Sequence, residues 1–163
     1  SPWSVLAQGI SLNVNLTIGT ITLLISIAVL ILWIPLGLKP GMGTIFNALI
    51  IALMIDLCIK FVPTPSNYIH QIILAIISVI TVGIGGGIYL VSNLGAGPRD
   101  GLMIGLQKIS NLPIAVVRGT LEISVVSVGW YLGGTVGLGT LLFAFGIGPC
   151  VALGLYLVDK IFD

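Results

Sequence analysis

The sequence predicts an all-α polytopic membrane protein made of two inverted three-helix repeats with short half-helices. Three observations predict it: a chain almost without charge, apolar runs long enough to cross a bilayer, and a residue pattern that recurs 96 positions later. Charged residues are 7% of the 163 positions and hydrophobic residues 57%, with a mean hydropathy of +1.22. Soluble domains carry about 25% charged residues. Six basic and five acidic side chains cannot clothe a water-exposed surface of this size, so the solvent is expected to be lipid. The net charge of +1 and the absence of a basic tract speak against a nucleic-acid partner.

A helix needs about 20 mainly apolar residues to span a bilayer. Five stretches qualify: 17–37, 43–61, 69–93, 112–132 and 140–160. Between them lie turn sequences, "LKPGMG", "VPTPSN" and "GGTVGLG". Two further segments, 3–11 and 100–110, are too short. At about 1.5 Å per residue each covers half a membrane. They are expected to be half-helices that either re-enter the membrane, a form tolerated only where protein buries it or a polar cavity receives it, or lie at the interface. Thr17 and Asn111 are expected to cap the first and fourth spans, with Pro113 in the first turn of the latter. Ser4 and Asp100 are expected to cap the two half-helices.

Shifted by 96 positions, the chain meets itself without a gap. Pro2 falls on Pro98, Gly9 on Gly105, Asn15-Leu16 on Asn111-Leu112 and Gly37 on Gly133. Gly41, Gly43 and Thr44 fall on Gly137, Gly139 and Thr140. Apolar matches are cheap in such a composition, but Pro, Asn and Gly matches in register are not. The chain therefore divides into repeat 1 at 1–62 and repeat 2 at 63–163, forming one membrane domain. Repeat 2 has a helix at 69–93 that repeat 1 lacks. The expectation is that the first helix of repeat 1 lies upstream of "SPWS", which is not read as a signal peptide, giving six spans of which five are present.

Lys39, Arg99, Lys108 and Lys160 fall on one side of the five-helix path and Lys60 on the other. The positive-inside rule then puts the C-terminus in the cytoplasm. It puts half-helix 3–11 at the outer face and 100–110 at the inner face, so the repeats are inverted. On that path Trp3 is an interfacial aromatic outside and Arg99 a cation inside.

"LGAGPRDGLM", the following "RGTLEISVVSVGWYLGGTVGLGT" and the echo "PWSVLAQGIS" resemble the YczE/YitT group of small bacterial membrane proteins. The resemblance covers most of the chain. It implies a multi-pass protein of the bacterial cytoplasmic membrane with about six helices, and little about chemistry.

Ionisable residues inside the apolar runs are the strongest functional signal, since each costs a few kcal/mol to insert. Glu122 lies deep in the fourth span, Arg118 one turn before it on the same face, and Asp56 deep in the second span. One reading is a polar cavity in which Arg118, Glu122 and Asp56 bind a small polar, anionic or zwitterionic solute, with Glu122 or Asp56 also able to carry a proton. The other is an intrahelical pair that only specifies packing. The half-helix N-termini, with Arg99, Asp100 and Ser4, extend the candidate site toward an anionic group. Asn47 is a further candidate, against a default role as interhelical glue.

Cys58 and Cys150 read as packing residues, and His70 lacks the companions of a metal site. "GAGPRDG" lacks the Gly-Lys-Ser/Thr ending of a phosphate loop. No enzyme, metal or cofactor is expected. The expected role is a small secondary transporter that rocks one repeat against the other, in the lipid bilayer and as a homodimer. The alternatives are a substrate-binding subunit of an ATP-driven importer and a non-transporting accessory or scaffold protein.

Overall fold

The structure is a computed structural model that describes residues 1–162. Among them are seven helices: α1 (Pro2–Val14), α2 (Ile18–Trp33), α3 (Met42–Phe61), α4 (Tyr68–Val91), α5 (Pro98–Ser110), α6 (Ile114–Tyr131) and α7 (Leu138–Phe162). Three of them, α3, α4 and α7, are long and apolar enough to cross a membrane, and α1 with α2 makes a fourth candidate bent by 113°. The two short segments expected from sequence are the 13-residue helices α1 and α5. Helix starts recur along the chain: α1, α2 and α3 begin at 2, 18 and 42, and α5, α6 and α7 at 98, 114 and 138, each 96 residues on. The turns recur too. Asn15 and Asn111 both take φ near +50° (50° and 55°), and Gly37 and Gly133 are both left-handed.

The helix ends correct several expectations. Asn111 does not cap α6. It is the left-handed C-cap of α5, a conformation Asn tolerates, and Pro113 holds the N-cap position of α6. Asp100 and Ser4 are not N-caps, because α5 and α1 start earlier, at Pro98 and Pro2. Proline's fixed φ suits the first helical position, so each polar residue falls third in the helix. Thr17 caps α2 as expected, its side chain accepting from the Thr20 N–H at 3.1 Å.

The chain forms two compact units that cut across the sequence halves 1–62 and 63–163. One contains α4 and α7, residues 63–94 and 136–163. These two helices approach through glycine. A Cβ at Gly83 would overlap the Cys150 side chain, and one at Gly87 would lie 2.7 Å from the Val151 carbonyl oxygen. Gly83 and Gly87 thus use part of the "GIGGGIYL" run for close packing.

The other unit contains α1, α2, α3, α5 and α6, residues 2–62 and 95–135. Here the short helices pack across the sequence halves, α1 against α6 and α5 against α2. Gly9 and Gly129 bring α1 and α6 together. Asn13 Nδ2 donates to the Leu132 carbonyl at 2.9 Å, and Gln8 Oε1 accepts from the Thr135 N–H and hydroxyl at 3.0 and 2.7 Å. On the α5 side, the buried Trp33 indole donates from Nε1 to the Pro98 carbonyl at 3.0 Å, and its ring fills the space beside Gly101. Trp3, Val29, Trp33 and Leu102 form the buried core of this unit.

A Cβ at Gly101 would overlap the Trp33 ring. Gly101→Ala is therefore expected to destabilise the protein by about 1–3 kcal/mol through overpacking, measured as a lowered midpoint of thermal unfolding in detergent. Ala at Gly85, where a Cβ meets nothing within 4 Å, is the matched control and should leave the midpoint near wild type.

Candidate functional site

The site lies where α5, α6, α3 and the start of α1 come together in the larger unit. Pro98 starts α5 with Arg99 and Asp100 in its first turn, and Pro2 starts α1 with Trp3 and Ser4 in the same places. The Arg99 guanidinium lies over the Trp3 ring, 5.1 Å from its centroid. This corrects the expectation that Trp3 and Arg99 mark opposite membrane faces. The first turns of the two short helices meet.

On α6, Arg118 and Glu122 sit one turn apart, and Arg118 Nε donates to Glu122 Oε1 at 3.0 Å. The Glu122 side chain is 12% exposed and that of Arg118 35%. Both are close enough to Asp100 to act on its charge. Burial raises the Asp100 carboxyl above the usual carboxylate range. Arg118 and Arg99 pull it down, and Glu122 pushes it up. Asp100 keeps an exposed edge, so water moderates the burial effect. Burial lowers the Arg99 guanidinium, with Asp100 working the other way. Asn47 on α3 joins the group through Gly97. Asp100 Oδ2 and Asn47 Oδ1 lie 3.2 and 3.3 Å from where a Gly97 Cβ would stand.

Arg118, Glu122, Arg99, Asp100 and Asn47 thus come from three helices to one region, and Ser4 follows Trp3 at the start of α1. Asp56 has a different environment. Its Oδ1 accepts from the Gly19 N–H at 2.7 Å and its Oδ2 from the Thr17 hydroxyl at 2.6 Å. It completes the N-terminus of α2, where free N–H groups and the helix dipole favour a carboxylate. The expected grouping of Asp56 with Arg118 and Glu122 is corrected on that ground. Asp56→Ala is expected to cost about 1–2 kcal/mol as a lost cap, seen as a lower thermal midpoint, with Asp56→Asn recovering part of it.

Sequence reasoning passed over Trp3 as a site residue. Its Nε1–H is buried without a hydrogen-bond acceptor, in a residue 7% exposed. The available signal was positional: Trp3 is the residue that Arg99 falls on in the 96-residue shift.

Helices of this length and apolarity, enclosing a few charges, define the class as an α-helical membrane protein. The chain belongs to the family of unknown function DUF6198, whose model matches residues 1–155. It is 44% identical over 161 residues to an uncharacterized protein of Haemophilus influenzae, covering 99% of this chain and 74% of that one. It is 31% identical over 146 residues to the uncharacterized membrane protein YczE of Bacillus subtilis, covering 88% of this chain and 67% of the relative. The uncharacterized protein YyaS of the same organism is 29% identical over 147 residues, covering 87% and 73%. No solved structure matches. The YczE resemblance read from "LGAGPRDGLM" and its echo is therefore one of family.

The raised Asp100 carboxyl sets a pH dependence. An acid whose folded pKa is raised binds its proton more tightly in the folded state. Its contribution is full below the ordinary carboxylate pKa of about 4 and is lost as pH rises above it. Wild-type protein is expected to lose thermal stability relative to Asp100→Asn between about pH 4 and neutrality. Melting both proteins across that range in one detergent checks the sign.

Proposed function

We propose that this chain is a small secondary-type transporter of a small polar, anionic or zwitterionic solute. The observation that carries the reading is the meeting of the α1 and α5 first turns at Trp3 and Arg99, beside the Arg118–Glu122 pair. Helix N-termini directed at one place, with charged side chains around them, form the solute sites of transporters built from interrupted helices. The 96-residue recurrence of helix starts and turns supports an internal duplication, which this reading takes as two inverted three-helix repeats. The packing of α1 on α6 and α5 on α2 gives each short helix a partner from the other sequence half. Rocking of one repeat against the other would move the site between faces, with proton coupling through the acidic residues. The setting is the bacterial cytoplasmic membrane, multi-pass, with a cytoplasmic C-terminus. The partners are the lipid bilayer, the solute and a second copy in a homodimer. No enzymatic step is assigned.

One observation favours a second reading, the accessory or scaffold protein. Arg118 and Glu122 already satisfy each other within one helix. A pair of that kind can serve packing alone.

Proteoliposomes holding the purified protein separate these readings. Under a proton gradient, uptake of labelled alanine and labelled lactate is measured for wild type, Arg118→Ala and Glu122→Gln. Transport predicts uptake of at least one probe above empty vesicles, reduced about tenfold or more in both variants. High-affinity binding without flux points to the importer subunit. Absence of both, with each variant melting well below wild type, overturns transport in favour of the scaffold.

A further inference from the structure

The first turns of α1 and α5 contain two different kinds of polar group, and their arrangement specifies more than a generic solute. One kind donates. Trp3 Nε1–H is buried with no acceptor. A buried N–H left unmade costs about 1–3 kcal/mol, and native proteins leave very few. Arg99 lies on that same ring and forms no ion pair within 4.0 Å among the described residues. Arg99 is also placed against the helix dipole. It stands second in α5, at the positive end, where a cation is disfavoured. Trp3 stands second in α1, so the first turns of two 13-residue helices meet at this pair. The orphan N–H and the cation at the positive end of α5 are each unfavourable alone and favourable with an anion present, while the ring beneath Arg99 holds the cation in place.

The other kind accepts. Asp100 Oδ2 and Asn47 Oδ1 both face the missing side chain of Gly97, at 3.2 and 3.3 Å from its would-be Cβ. They are a carboxylate and an amide oxygen, a pair suited to an ammonium group. Gly97 has φ −58°, a backbone any residue adopts, so the turn itself does not demand glycine. The space beside the two oxygens is what a larger residue would take away.

We propose that this site holds the head group of an α-amino acid, with the carboxylate on Arg99 and the Trp3 Nε1–H and the ammonium on Asp100 and Asn47. The inference rests on the transporter reading above and narrows its solute to a zwitterion whose opposite charges sit on neighbouring atoms. Adjacent residues of one turn supply the two halves, since Arg99 and Asp100 follow each other. A simple anion would satisfy the donors but bring its charge next to Asp100 and Glu122. A simple amine would leave the indole N–H unmet.

The test is thermal unfolding of the purified full chain with matched probes: L-alanine, L-leucine and L-phenylalanine, then propionate, isocaproate and hydrocinnamate, then ethylamine, isopentylamine and phenethylamine. At least one amino acid is expected to raise the midpoint, and its carboxylate-only and amine-only analogues to bind at least tenfold more weakly. Trp3→Phe removes the orphan N–H and keeps an aromatic ring under Arg99. As a smaller ring in the buried core it should melt somewhat below wild type without ligand, and the folded protein should bind the amino acid about tenfold more weakly, the loss expected for a hydrogen bond to a charged group. Gly97→Ala should likewise weaken binding, by filling the space at Asp100 and Asn47. Carboxylates that bind as well as their amino acids would overturn the zwitterion and leave transport of anions standing. Amino-acid binding indifferent to both Trp3→Phe and Gly97→Ala would overturn the placement. No midpoint shift with any probe would overturn the proposal, and uptake of other solutes in proteoliposomes would then decide the transporter reading by itself.

Discussion

The structure turns on one constraint: a helix that stops inside an apolar environment leaves backbone groups that no water can reach. This chain breaks its helices repeatedly, and at several of the breaks a side chain closes the gap. Asp56 of α3 and Thr17 receive the start of α2. The hydroxyl of the fully buried Thr44 accepts from the Gly41 N–H and donates to the Ala96 carbonyl, at 3.2 and 2.7 Å, which ties the start of α3 to the approach of α5. Asn13 reaches the Leu132 carbonyl at the end of α6, and Trp33 reaches Pro98. These bonds also choose the neighbours. α1 lies on α6 and α5 on α2 partly because the polar groups at their ends are completed there.

Closing the breaks this way leaves few places for charge. Arg118 and Glu122 occupy one of them by bonding to each other along α6, a pairing that needs no third partner. Arg99 has no such neighbour in sequence. Asp100 follows it directly, and consecutive helical residues do not face one another. It takes instead the face of Trp3, a ring whose negative π-surface suits a cation. The N–H of that same indole is buried without an acceptor, so a ring that serves the cation is itself left incomplete. Two demands meet on one side chain and only one is met by the protein.

Much of the fold was legible because lipid simplifies the code. Apolar length gave the existence of α2, α3, α4, α6 and α7, of which three are long and apolar enough to span, the two short segments gave α1 and α5, and Pro, Asn and Gly in register gave their recurrence. Helix starts were misread by one residue at α1 and two at α5, since a polar residue was preferred as the cap over a proline already set for the first turn. Asn111 was misread for a related reason: Asn serves at N-caps and in left-handed C-caps alike, and only the backbone distinguishes them. Asp56 looked like a functional charge because its depth in an apolar run was visible, whereas the helix start it completes belongs to another element. Arg118 and Glu122 were legible as a pair from their spacing. The Arg99–Trp3 contact was not, because the positive-inside rule assigns a side to each flank and says nothing about two short helices that meet by their first turns.

The positions 96 apart offer a comparison within one molecule. Thr22 and Ser26 of α2 stand where α6 has Arg118 and Glu122. Both are buried, and each hydroxyl bonds back to its own helix, Thr22 to the Ile18 carbonyl and Ser26 to the Thr22 carbonyl, at 2.8 and 2.9 Å. Small self-satisfied hydroxyls therefore suffice to hold a helix of this kind in this setting. The charged version achieves a similar closure at a greater desolvation cost. Trp3 and Ser4 against Arg99 and Asp100 show the same division: the same helix start in each case, with charge at one of them. Since the backbone forms with or without the charges, helix formation does not explain their presence. What distinguishes the charged positions is that α5 and α6 bring them close enough to act on one another's charge.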